Sequence, residues 1–120
     1  MYLSQKHFDD LLKNAGEDVK NLDRRERLGS NAMLYSTGTK LFIFYVNTLV
    51  FKKDLTGAVT LNTNGWETMT TKKHINHGLK LAGLNYYINQ KAFEWYLIKH
   101  DNEYQVIEKI DFKDNMILKS

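Results

Sequence analysis

The sequence predicts an α+β fold with an N-terminal helix or helices, a largely antiparallel sheet built of hairpins, and one central amphipathic helix packed on that sheet. Three observations predict it. Apolar residues recur at helical spacing near the start of the chain and again around Ile75. Short apolar runs of strand length fill most of the remainder, and turn-forming residues separate them by only a few positions. The regular strand and long-helix alternation of a parallel doubly wound sheet is missing.

Phe8, Leu11, Leu12 and Ala15 fall at i, i+3, i+4 and i+7, so the first element is a helix, with Ser4 as N-cap and Gly16 past its end. A second, more polar helix is expected on Val19, Leu22 and Leu28, ending at Gly29. Arg25 interrupts its apolar face, and an extended arm is the alternative. From Ala32 the pattern changes to strands. Residues 33–36 and 40–46 flank a Thr37-Gly38-Thr39 loop, Asn47-Thr48 turns the chain into 49–52, and residues 54–57 turn it into 58–62. Asn64-Gly65 is a strong turn signal because both residues tolerate positive φ. After the central helix, residues 85–89 and 92–99 read as strands around Gln90-Lys91, followed by strands at 104–107 and 116–118. One domain of 120 residues is expected, helical over 1–31 and carrying the sheet and central helix over 32–118.

On a wheel of about 100° per residue, Ile75, Gly78, Leu79 and Ala82 share one side of the central helix. Lys72, Lys73, Asn76, His77 and Lys80 share the other, with His74 and Leu81 at the boundary and Gly83 closing the end. Thr70 or Thr71 serves as N-cap, which puts Lys72 and Lys73 in the first turn. Cations there oppose the helix dipole at a cost of about 0.3–1 kcal/mol each when exposed. Beside two threonine hydroxyls and the N–H groups of a helix start, they form an expected anion cradle. A second cationic cluster is Arg24, Arg25 and Arg27, interrupted by Glu26.

The formal charge of +3 and pI near 9.0 favour polyanions without demanding them. Absence of cysteine excludes disulfides, thiolate metal sites and a cysteine nucleophile. The longest apolar run, residues 41–46, is strand-sized, so no membrane partner is expected, and the amino terminus lacks the layout of a signal peptide. No G-x-S-x-G elbow or P-loop is present. His74 and His77 stand at i, i+3 but have no acid in the helix to complete a metal site. The sequence thus gives no catalytic residue, no metal and no cofactor, and an enzyme is not expected. Most of the aromatic rings are expected in the core, Phe93, Trp95 and Leu97 on one inward face. Residues 40–46 are apolar on both faces, so that strand should be covered twice, by a helix or by a second copy of the chain in a homodimer.

The segment 57–76, G-x-x-T-L-N-x-x-G-W-x-T-x-T-T-K-x-x-I-N, resembles the core of a family of small, mostly uncharacterised bacteriophage proteins. Further matches are Arg27-Leu28-Gly29-Ser30-Asn31, Asn47-Thr48 and Trp95-Tyr96. The chain departs from the pattern at His74, often Arg in the family, at Ser30, often Asn, and at Val46, often His. The resemblance implies a phage origin, a shared fold and a setting in the cytoplasm of a bacterial host. It implies no activity. The expected function is non-enzymatic binding of DNA, RNA or another polyanion through Thr70, Thr71, Lys72, Lys73, Asn76, His77 and Lys80, together with Arg24, Arg25 and Arg27. The alternative is an inhibitor or adaptor that binds a host protein through the apolar sheet. A metal-dependent nuclease or hydrolase, its carboxylates converging only in three dimensions, stands third.

Overall fold

A computed structural model of the chain describes residues 2–119. Helix α1 (Gln5–Asn14) opens on Ser4, whose Oγ accepts the His7 N–H at 3.1 Å, and buries Phe8 and Leu12. Gly16 follows at φ +92°, a conformation that a side chain would strain. A 3₁₀ turn (Val19–Asn21) comes next. The second helix expected up to Gly29 does not form; the chain instead enters strand β1 (Arg24–Gly29). Its alternation explains the change. Arg25 and Arg27 pair with Tyr35 and Met33 on one face, and Glu26 with Leu34 on the other. A ladder of backbone hydrogen bonds therefore replaces a helical stripe that was too thin to bury, and the charged side chains suit an edge strand.

The remaining elements follow as β2 (Ala32–Ser36), β3 (Leu41–Tyr45), β4 (Thr48–Lys53), β5 (Val59–Leu61), α2 (Met69–Leu81), β6 (Tyr86–Lys91), β7 (Glu94–His100), β8 (Val106–Asp111) and β9 (Met116–Leu118). A six-stranded sheet has the order β1-β2-β3-β4-β5-β9, and a three-stranded sheet the order β6-β7-β8. Every strand pairing is antiparallel. The fold is the expected α+β, with an N-terminal helix and a central helix packed on the sheet.

Strand β3 is covered on both faces within the chain. Phe42 and Phe44 join Tyr35, Met33, Phe8 and Leu12 beneath α1. Ile43 and Leu34 join Phe51, Ile75 and Leu79 beneath α2. The two-sided apolar run thus reports helices on opposite faces of one sheet, and needs no second copy of the chain. The Tyr35 hydroxyl donates to Asp9 at 2.6 Å and accepts from the Gln5 amide at 3.2 Å, which fixes α1 on its face. Burial, then the Asp9 carboxylate, push the Tyr35 phenol up.

Helix α2 buries Ile75 and Leu79 completely, as its periodicity requires. It sits close because residue 78 is glycine. A Cβ there would lie 2.5 Å from Cγ of the buried Phe51 ring. On its other flank Asn76 reaches β6, its Oδ1 accepting from the Ile88 N–H at 2.6 Å and its Nδ2 donating to the Ile88 carbonyl at 3.3 Å. The preceding loop is held by Asp114, which accepts from the Thr63 N–H at 2.8 Å, the Thr63 hydroxyl at 2.7 Å and the Gly65 N–H at 3.1 Å.

Two turns shift from their expected places. The β3–β4 turn falls on Val46-Asn47, one residue early. The β6–β7 turn falls on Ala92-Phe93, both at positive φ, because Lys91 pairs with Glu94. Phe93 therefore leaves the strand and stands 91% exposed, while Trp95 and Leu97 are buried as expected. The strand expected at 104–107 lies later, as β8.

Candidate functional site

Helix α2 carries most of the residues that the sequence singles out, and its starting point changes their roles. The helix begins at Met69 with Thr68 as N-cap, not Thr70 or Thr71. Thr68 Oγ1 accepts the Thr71 N–H at 3.1 Å and lies 3.0 Å from the Thr71 hydroxyl. The cap is placed here because it lets Thr71 bury its side chain and complete the hydroxyl pair while Ile75 and Leu79 still face the sheet. Lys72 and Lys73 then occupy the fourth and fifth helical positions. The Lys72 N–H is already bonded to the Thr68 carbonyl at 3.0 Å. The dipole penalty fades beyond the first turn, so these lysines do not meet the opposition that a start at Thr70 would give them.

Their side chains still form a surface. Thr70, Lys73 and Lys80 are exposed, and Lys72 and His77 are half-exposed. Lys73 and Lys80 lie seven residues apart, about 10 Å along the axis, with His77 between them. Among the described residues, Lys72, Lys73 and Lys80 have no ion-pair partner; the four ion pairs present engage Lys6, Arg24, Arg25 and Lys40. Two of the expected contacts are spent inside the fold. Thr71 is buried against Thr68, and the Asn76 amide is committed to the backbone of Ile88.

His74 lies on the boundary of this face, 5% exposed, its ring 5.4 Å from that of Tyr45. Burial, then the neighbouring charges of Lys73 and His77, lower its pKa to about 4. At neutral pH it is an uncharged packing residue. It also lines a groove of about 250 Å³ in which Thr70 and Lys73 face Gly29, Ser30 and Asn31 of the β1–β2 turn.

Folding brings that turn to the start of α2; of the β1 guanidinium groups, that of Arg27 reaches the turn, its Nη1 donating to the Gly29 and Ser30 carbonyls at 3.4 Å, but it does so from the α1 side. Arg24 pairs with Glu26. Arg25 lies on the α1 face, 3.8 Å from Asp9. Arg27 stacks 4.2 Å above the Tyr2 ring on the same face. The arginines and the α2 lysines therefore occupy opposite faces of the six-stranded sheet, apart from Arg24, which pairs across from Ser36 at the far end of its strand.

Two pockets flank α2 and were not foreseen in the sequence. One, of about 330 Å³, lies beside its start, between Tyr45, Val50, Thr63, Thr68 and the 67% exposed Trp66. The other, of about 460 Å³, lies beside its end, where Asn76 and Lys80 meet Tyr86, Tyr87, His100 and Tyr104. The only signal for either was an aromatic residue next to turn-forming asparagines, Asn64-Gly65-Trp66 and Asn102-Glu103-Tyr104. Among the described residues, no three His, Asp or Glu side chains gather where they could hold one metal ion. No helix there is long and apolar enough to cross a membrane.

Comparison with known proteins returns nothing: no family model, curated protein or solved structure matches the chain.

Proposed function

We propose that this protein binds nucleic acid, without catalysing a reaction, through the outward face of α2. The observation that carries the proposal is the solvent-facing stripe of exposed Lys73 and Lys80 with half-exposed His77 between them. Its lysines have no carboxylate partner among the described residues, although the chain pairs cations elsewhere. Unpaired lysines aligned on a rigid helix present fixed positive charge to phosphates and release counterions on binding. The phage setting of this proposal rests on the resemblance of residues 57–76.

The test is the salt dependence of binding to a labelled DNA or RNA, measured by fluorescence anisotropy. Replacing Lys73 and Lys80 together with Gln should weaken binding for every sequence and lower the salt slope by about one unit per lost phosphate contact. Parent protein that binds neither DNA nor RNA at 50 mM salt, or a variant with an unchanged slope, would refute it.

A second reading, docking on a host protein, is favoured by Phe93. Its ring is 91% exposed at the apex of a two-residue hairpin turn. Both turn residues have positive φ, at 53° and 68°, where neither residue is asparagine or glycine. Such backbone costs of order 1 kcal/mol per residue and holds an apolar ring in water. Binding of a host protein that is insensitive to salt and abolished by Phe93→Ala would support it.

A further inference from the structure

We propose that the pocket at the C-terminal half of α2 is a base-stacking site, so that the nucleic acid this protein prefers is single-stranded. The inference rests on the nucleic-acid reading above and adds the ligand class. Three rings form a short stack at this pocket. His100 lies 4.8 Å from Tyr104 at an interplanar angle of 20°, and 5.8 Å from Tyr87 at 36°. His100 is buried between them, whereas Tyr104 is 78% exposed. One face of the Tyr104 ring is thus taken by His100, and the ring remains open enough to accept a further flat ring. Every nucleobase has such a π-face, which makes stacking tolerant of sequence.

The platform is held in place before any ligand arrives. Tyr104 sits at φ 63°, a left-handed conformation that is uncommon outside Gly and Asn. Asp101 imposes it, its carboxylate accepting the N–H groups of Glu103 at 2.8 Å and Gln105 at 2.9 Å, and its carbonyl the Tyr104 N–H at 3.1 Å. The loop is tied back to the start of β6. The His100 N–H donates to the Asn85 carbonyl at 3.0 Å, and the Asn85 amide donates to Asn102 Oδ1 at 2.9 Å. A rigid aromatic loses little freedom on binding, so more of its contact area appears as affinity.

The charge is in register with the rings. Lys80, the last cation of the α2 stripe, lines the same pocket as Tyr87, His100 and Tyr104. Its volume of about 460 Å³ lies within the usual range for small-ligand sites. A strand whose phosphates follow Lys73 and Lys80 would deliver a base to Tyr104. In a duplex the bases are already stacked on one another and cannot reach the ring, so the pocket would add nothing to duplex binding.

The probes are a fluorescein-labelled twelve-residue oligothymidylate, an abasic strand of the same length, and a duplex. The variant Tyr104→Asn keeps a residue that tolerates positive φ and removes the ring; Tyr104→Trp retains a stacking face. We expect Tyr104→Asn to weaken oligothymidylate binding about 5- to 150-fold with an unchanged salt slope. It should leave binding to the abasic strand and the duplex as in the parent, and Tyr104→Trp should bind oligothymidylate as the parent does or more tightly. Equal oligothymidylate binding by the parent and Tyr104→Asn, with the lysine variant still defective, would overturn the stacking site and leave the basic stripe standing. Loss of all three probes from the parent itself at low salt would remove both.

Discussion

Replacing His74 with Leu should make the protein less sensitive to acid, by an amount set by the burial of that imidazole. In the unfolded chain His74 titrates near its ordinary 6.5; in the fold its pKa is lowered to about 4. Between those values the unfolded state binds the extra proton, so stability rises with pH across this window. The contribution of neutral His74 is fully present above pH 6.5 and is lost as pH falls toward 4. At 1.36 kcal/mol per pH unit, the native state loses about 2 kcal/mol between pH 7 and pH 5, and about 3 kcal/mol by pH 4, through this group alone. The assay is urea unfolding of the parent and of His74→Leu at pH 7, 6 and 5. Carboxylates and other groups are common to both proteins and cancel in the difference. Leucine cannot titrate, and it keeps an apolar side chain beneath Tyr45. The stability of the variant relative to the parent should therefore rise by about 2 kcal/mol from pH 7 to pH 5. A difference constant to within about 0.5 kcal/mol, or a His74 ring signal that titrates near 6.5 by NMR, would show that burial does not hold this imidazole neutral.

Two further substitutions test how α2 is seated. Gly78→Ala gains about 1 kcal/mol of helix propensity but puts a methyl group 2.5 Å from a Phe51 ring that has nowhere to go; a net loss of about 2 kcal/mol is expected, partly recovered by adding Phe51→Leu. A Gly78→Ala protein with a raised melting temperature would contradict the packing. Asn76→Ala removes both hydrogen bonds to Ile88 and should cost about 1–3 kcal/mol in chemical unfolding. At temperatures where it remains folded, binding to a duplex, to which the pocket at the end of α2 adds nothing, should match the parent, whereas a loss of duplex affinity would return Asn76 to the basic surface.

The fold class, the first helix with its Ser4 cap, the buried stripe of Ile75 and Leu79, and most of the hairpin strands were legible in the residues alone. These features are local: a 3.6-residue or two-residue period and a capping or turn residue suffice to specify them. The sequence also marked residues 40–46 as covered twice, since both faces of that strand are apolar. What lay beyond it depended on partners distant in the chain. Arg24 to Gly29, expected as a helix with an extended arm as the alternative, became a strand because β2 offered a ladder, and that pairing is not a local property. The cap moved to Thr68 because Thr71 could be buried there, and Asn76 left the solvated face because β6 came within reach of its amide. The hairpin apex settled on Phe93 through the pairing of Lys91 with Glu94, a register choice between neighbouring positions. The candidate site divides the same way. Its lysines were legible as a helical stripe, but the ring stack of Tyr87, His100 and Tyr104 comes from three separate positions that only the closure of the β6–β7–β8 sheet brings beside Lys80.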